Sequence, residues 1–255
     1  MLLILQLKMK LFFISIFVLV LSNFLYPENT QALTISTSSG YVNALKHKNV
    51  YIYEDIPYAK PPVGNLRWKA PKHNISSELI VPKEGNFCIQ RPSNLGGAEG
   101  TNPIVGMEDC LYLDVFTPTK NFKEKLPVMF WIHGGGNTSG LKDLYDFSKM
   151  VKKHNVIVVR ANYRLGPFGW FTHPAIQSFQ EGDDKSSNFG TLDLIVALEW
   201  IKNNISNFGG DQNNVTIFGE SAGGHNVLSL LASKRASGLF SKPFQCQATQ
   251  HLYLL

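Results

Sequence analysis

The sequence predicts an α/β fold, a mostly parallel sheet with helices on both faces, and three observations predict it. From Pro127 onward, short apolar runs alternate with longer stretches whose apolar residues recur at helical spacing, the pattern of parallel strands joined by crossover helices. Each apolar run halts at a turn rich in glycine, asparagine or proline, where the backbone can reverse. The 255 residues are 44% hydrophobic and 17% charged, enough to build a core without staples, and unlike a disordered chain, a coiled coil or a collagen.

The elements follow in order. Pro127–His133 (PVMFWIH) reads as a buried strand that enters a tight loop at Gly134-Gly135-Gly136. Phe147, Met150 and Val151 mark a helix reaching His154, and Val156–Val159 (VIVV) is a second buried strand ending in Asn162-Tyr163-Arg164-Leu165-Gly166-Pro167. The clearest helix is Asp193–Phe208, with Leu194, Ala197, Leu198, Ile201, Ile205 and Phe208 on one face, closed by Gly209-Gly210-Asp211. Val215–Phe218 (VTIF) supplies a third strand, and an apolar helix follows the Gly219–Gly224 turn through Leu231. No internal repeat or low-complexity tract is present.

The first segment stands apart from this fold. Lys8 and Lys10 precede the apolar run Leu11–Leu21, and polar Ser22 and Asn23 follow it. That arrangement predicts a secretory signal peptide within residues 1–32, cleaved after Ala32 or after Ser22. The run is shorter than the roughly 20 residues of a membrane span, so the mature product is expected to be secreted, with no membrane segment. In an oxidising compartment the cysteines matter. Cys88 and Cys110 are close enough in sequence to close one loop, whereas Cys246 is left over, which points to a missing partner or an intermolecular bond. Of four glycosylation sequons, Asn74 and Asn204 are expected to be exposed, while Asn137 and Asn214 fall in segments assigned to the core. The formal net charge of +5 is spread along the chain with no block of like charges, which gives nucleic-acid binding no support. Nothing in the sequence calls for a metal or an organic cofactor.

The chemistry is concentrated at the end of the third strand. Gly219-x-Ser221-x-Gly223 lies between a buried strand and a helix, the context in which a sharp turn lifts a serine Oγ above the sheet edge and small residues at −2 and +2 avoid clashes. The new helix offers unpaired N–H groups and the positive end of its dipole to a developing oxyanion; Ala222 N–H is one such donor. His133-Gly134-Gly135-Gly136 provides a second set, because a glycine run lets successive N–H groups turn toward one point. His133 itself reads as a residue that holds this loop.

With these residues in view, the sequence resembles the type-B carboxylesterases, the family that includes the cholinesterases. The matches run in order: Ile56-Pro57-Tyr58-Ala59 with Pro61-Pro62-Val63-Gly64; Glu108-Asp109-Cys110-Leu111-Tyr112-Leu113; the His133 glycine run; Asn162-Tyr163-Arg164-Leu165-Gly166; and Phe208-Gly209-Gly210-Asp211 leading into Gly219-Glu220-Ser221-Ala222-Gly223-Gly224. The resemblance covers roughly Thr34 to Phe240 and implies an α/β-hydrolase fold, its N-terminal portion only, acting on small-molecule carboxylic esters. It implies that Ser221 is the nucleophile, that Gly135, Gly136 and Ala222 donate to the oxyanion, that Glu220 is a buried carboxylate beside the serine, and that Cys88 pairs with Cys110. Three departures stand out. Asp55 replaces a usual glycine, Asn137 replaces a usual aromatic, and the Cys88–Cys110 loop has no Trp, Tyr or Phe. Without a ring there to attract a quaternary ammonium, acetylcholine is not an expected substrate.

A serine hydroxyl needs a histidine to take its proton and a carboxylate to orient that histidine, in the chain order serine, acid, histidine. After Ser221 the sequence holds no Asp or Glu, and only His225 and His251. His225 reads as a packing or surface residue. From Pro243 to Leu255 the family pattern fails, and residues 243–255 read as a divergent tail from a shifted frame, retained intron or incomplete gene model. Residues 33–242 are thus expected to be the N-terminal part of a hydrolase domain that is inactive alone, with the edge of its last strand unpaired. A non-catalytic cholinesterase-like binding or adhesion protein is the alternative. Oligomeric state has no sequence signal.

Overall fold

The computed structural model describes residues 33–246, Leu95 excepted. The signal-peptide expectation, His251 and the end of the tail lie outside the described residues.

Among the described residues, nine strands form two sheets. β1 (Thr34–Thr37) and β2 (Gly40–Asn43) make an antiparallel hairpin. The main sheet holds β3 (Leu45–His47), β4 (Val50–Pro57), β5 (Tyr112–Thr117), β6 (Leu126–Ile132), β7 (Ile157–Ala161), β8 (Gly210–Glu220) and β9 (Lys242–Cys246), in the order β3-β4-β5-β7-β6-β8-β9. It is parallel across β7, β6, β8 and β9, and β3, β4 and β5 extend it antiparallel on one side. The longer helices are α1 (Ser148–His154), α2 (Phe189–Asn204) and α3 (Ala222–Ala232). Among the described residues no helix is long and apolar enough to cross a membrane.

The strand pleat sorts the core into two layers. On one face Val50, Ile52, Phe116, Trp131, Val158 and Phe218 pack against Phe147 and Val151 at the start and middle of α1. On the other, Tyr53 and Trp200 flank Phe208, with ring centroids 4.9 and 6.0 Å away. The sequence suggests a one-sided α2, yet it is buried nearly all round, with Leu194, Ala197, Leu198, Trp200 and Ile201 all inaccessible. The β1–β2 hairpin explains this, because Ser39 Oγ accepts from Trp200 Nε1 (3.1 Å) on the helix side that would otherwise meet water. α2 ends at Asn204 rather than Phe208; Ile205–Phe208 tightens into a 3₁₀ turn and Gly209, at φ 86°, breaks it.

The same contact corrects an expectation about Asn204. Its side chain is 2% exposed. Oδ1 accepts from Ser38 N (2.7 Å) and Nδ2 donates to Ser38 Oγ (3.0 Å) and Trp200 O (2.9 Å), so it ties the hairpin to the helix and is closed to a glycosyl group. Asn74 is half-buried beside exposed Ile75. The expected unpaired edge of β8 is also corrected. Thr216 to Glu220 pair in parallel with Lys242 to Cys246, so residues of the tail supply the next strand.

Two buried ion clusters brace the sheet. Arg164 donates through Nε (2.9 Å) and Nη2 (2.7 Å) to the two oxygens of Asp193, which also accepts from Arg164 N. Lys142, 3% exposed, sits 3.0 Å from Asp114 and 2.9 Å from Asp55 Oδ1, while Arg160 Nε donates to Asp114 at 2.7 Å. Asp55 stands at a β-bulge with φ 56°, the left-handed conformation a glycine would take freely. Its N–H donates to Asp114 Oδ1 (2.9 Å) and its Oδ2 accepts from Lys83 N (3.0 Å), contacts that offset the backbone cost.

Candidate active site

β6 and β8 are parallel neighbours with Ile132 opposite Gly219, so both leave the sheet at the same edge. The chain moves from β6 outward to β7 and then back past β6 to β8. Such a switch point opens a crevice at the C-terminal ends of parallel strands. The glycine run after β6 and the serine after β8 are brought together there.

Ser221 is the N-cap of α3 and has φ 54° and ψ −119°, a strained conformation for a residue with a side chain. The turn has no spare room. A Cβ on Gly219 would overlap Gly223, and one on Gly223 would overlap Ile132 O and approach His133 O at 2.9 Å. A Cβ on Gly134 would lie 2.8 Å from Glu220 O and 3.2 Å from Ser221 Cβ, so the glycine run touches the serine directly. Gly135 and Gly136 take φ of 94° and 63°. Among the described residues, the N–H groups of Gly135, Gly136 and Ala222 donate to nothing, and Ser221 Oγ has no hydrogen-bond partner.

The glycine loop is held by residues to which the sequence motifs assign no such role. Tyr163 OH donates to His133 O (2.7 Å), and Asn137 Oδ1 accepts from Asn226 Nδ2 on α3 (2.9 Å), one turn beyond Ser221. Asn137 O accepts from Gly166 N (2.7 Å). Gln90, inside the Cys88–Cys110 loop, closes the far end by donating to Gly140 O and accepting from Gly140 N, each at 2.9 Å. Asn137, half-buried with φ 58°, thus does the work of a latch where an aromatic was expected. The Cys88–Cys110 disulfide is present, and a groove of about 630 Å³ between its loop and the glycine loop is lined by Gln90, Arg91, Ile104, Thr138, Ser139 and Phe168.

His133 is fully buried, stacks on Tyr163 with ring centroids 4.3 Å apart, and places Nδ1 2.9 Å from Gly134 O. That contact requires Nδ1 to carry the proton. Burial pushes its pKa down to about 4 from 6.5, so the ring is neutral in the folded protein and positions the loop rather than taking protons. Because the unfolded state binds the proton first, stability is complete above pH 6.5 and falls by about 1.4 kcal/mol per pH unit as pH drops toward 4. Urea titrations of the parent and of His133→Gln should show that slope flattened in the variant.

Glu220 differs from expectation. It is exposed, and its Oε2 accepts from Tyr145 OH at 2.7 Å. Phe218, two residues earlier on the same face, is covered by the α1 layer; Glu220 projects beyond that layer, where Tyr145 is its hydrogen-bond partner. His225 is exposed on α3. Among the described residues no group of three or more His, Cys, Asp or Glu is arranged to hold a metal ion.

A family model described as the carboxylesterase family matches residues 31–245. The chain belongs to the carboxylesterase family. It is 47% identical over 215 residues to the para-nitrobenzyl esterase of Bacillus subtilis, covering 82% of this chain and 42% of that protein. It is 40% identical over 210 residues to the fumonisin B1 esterase of Sphingopyxis macrogoltabida, covering 81% and 38%. Among solved structures, a PNB esterase aligns with a TM-score of 0.72 at 42% identity, over 82% of this chain and 43% of that one. A Geobacillus stearothermophilus carboxylesterase aligns with a TM-score of 0.71 at 36% identity, over 84% and 43%. The fold is therefore that of an α/β-hydrolase, and the chain spans about two fifths of the length of the carboxylesterases it matches.

Proposed function

We propose that the chain carries the nucleophile and oxyanion donors of a secreted serine carboxylesterase acting on small-molecule carboxylic esters. The observation that carries this reading is the strained Ser221, at φ 54° and ψ −119°, with Gly134 packed against it. Ser221 Oγ attacks the ester carbonyl carbon, and the charge that moves onto the carbonyl oxygen meets the N–H groups of Gly135, Gly136 and Ala222. Collapse of the tetrahedral species expels the alcohol and leaves an acyl-serine, which water then hydrolyses. Glu220 adds a negative charge one residue from the serine.

Both steps need a base, and within these 255 residues no acid follows Ser221 and His225 faces solvent. The polypeptide alone is therefore expected to be nearly silent, with only the weak rate that an oxyanion hole retains without its triad. A second reading is a non-catalytic binding or adhesion scaffold. The backbone strain at Ser221, about 1–3 kcal/mol, opposes it, because an adhesion surface gains nothing from an erected hydroxyl.

Labelling with a fluorophosphonate probe and hydrolysis of p-nitrophenyl acetate separate these readings. Slow labelling of Ser221 and weak turnover, both lost in Ser221→Ala, are expected. Fast turnover abolished by the same substitution would overturn the silent state. Turnover unchanged by it would overturn the assignment of Ser221.

A further inference from the structure

Positive charge is diffuse along the sequence but not on the folded surface. β6, β7, β8 and β9 all begin at the sheet edge opposite Ser221, and antiparallel β5 ends there, with Phe116 opposite Val158. The segments that feed this edge carry exposed lysines. Lys120, Lys123 and Lys125 lie between β5 and β6, Lys152 and Lys153 in the last turn of α1, and Lys242 at the start of β9. Five strand ends at about 4.8 Å spacing make a row about 19 Å wide. The row is held together by Leu126 N donating to Gly209 O (2.9 Å) and by Lys242 Nζ donating to Asn214 Oδ1 (3.1 Å). Two carboxylates lie among these lysines, Glu124, which accepts from the Thr119 hydroxyl (3.0 Å), and Asp211, which accepts from Asn213 N (2.9 Å), so the six lysines leave the row net positive.

We propose that this edge binds a sulfated polysaccharide. The β5–β6 connection and the last turn of α1 expose no large apolar side chain, so they offer nothing to bury in a bilayer and no ring to stack under an unpaired base; the exposed Phe244 lies two residues further along β9. Those two segments carry lysine and no arginine, point charges without the planar fork that reads base edges; Arg235, in the connection from α3 to β9, is paired with Asp183. What such a row recognises is the density of negative charge along a flexible chain. The choice of an extracellular polymer rests on the secretory leader, but the binding measurement depends neither on secretion nor on Ser221, so its outcome is separate from that of the esterase reading.

The test uses the 255-residue chain with heparin, with vesicles of 70% phosphatidylcholine and 30% phosphatidylserine, and with a 20-base-pair DNA duplex, at equal ionic strength. Heparin should bind tightest. The variant Lys120→Ala/Lys123→Ala/Lys152→Ala/Lys153→Ala should lose at least tenfold in heparin affinity, and its slope of log affinity against log salt should flatten by about three. A control, Lys60→Ala/Lys69→Ala/Lys72→Ala/Lys185→Ala, removes the same charge elsewhere and should lose less than twofold. Equal losses in the two variants, or tighter binding of vesicles or duplex than of heparin, would overturn the proposal.

Discussion

Replacing Gly223 with alanine is expected to lower the unfolding free energy by about 3 kcal/mol, at the upper end of the cost of overpacking. The added methyl would overlap Ile132 O at the end of β6 and lie 2.9 Å from His133 O. Neither carbonyl belongs to a flexible side chain. Ile132 is locked in register with Ala161 and Gly219, and His133 O is held by Tyr163 OH. The helix must therefore move away from the sheet, and Ser221 moves with it. The urea midpoint measured by tryptophan fluorescence should fall, and residual fluorophosphonate labelling of Ser221 should vanish. A loss under 1 kcal/mol would mean that the turn relaxes without cost, contrary to the packing described.

Lys142→Met is expected to cost about 3–5 kcal/mol, because it removes one of the two cations of a buried cluster, leaving Asp55 without its ion pair and Asp114 with Arg160 alone. Burial alone would raise the Asp114 pKa, but Lys142 and Arg160, with the N–H of Asp55, outweigh it and hold the carboxyl below its ordinary value. A depressed carboxyl contributes stability that is present above the unfolded pKa and lost as pH falls through the folded one. In the variant that balance tips toward burial, the carboxyl pKa rises, and protonation relieves the stranded charge. The deficit relative to the parent should thus be largest at pH 7 and narrow by pH 5, as followed by urea unfolding. Arginine at position 142 would restore charge but not volume, and should recover only part of the loss.

β6, β7 and the end of β8 are legible in the sequence because each is a short apolar run that stops at a turn, whereas β9 (KPFQC) carries no such run. The antiparallel half is not legible either. β4 (VYIYEDIP) and β5 (YLDVFT) place Glu54, Asp55 and Asp114 within strand runs, and only the arrival of Lys142 and Arg160 from distant segments makes those acids tolerable. Ser221 and the glycine run are readable because steric necessity at Gly219, Gly223 and Gly134 fixes residue type locally. Asn137, Tyr163, Asn226 and Gln90 are not, since each acts through a partner far along the chain. The exposure of Glu220 and the burial of Asn204 are not readable for the same reason: both depend on what packs over them, and no window of sequence contains that. The lysine row is the extreme case, assembled from three connections none of which is strongly basic alone.

The common direction of the central strands gives the molecule two ends with different assignments. Were it fastened to a matrix by its lysine end, Ser221 would point outward into the fluid, and the molecule could act on passing solutes while itself staying in place.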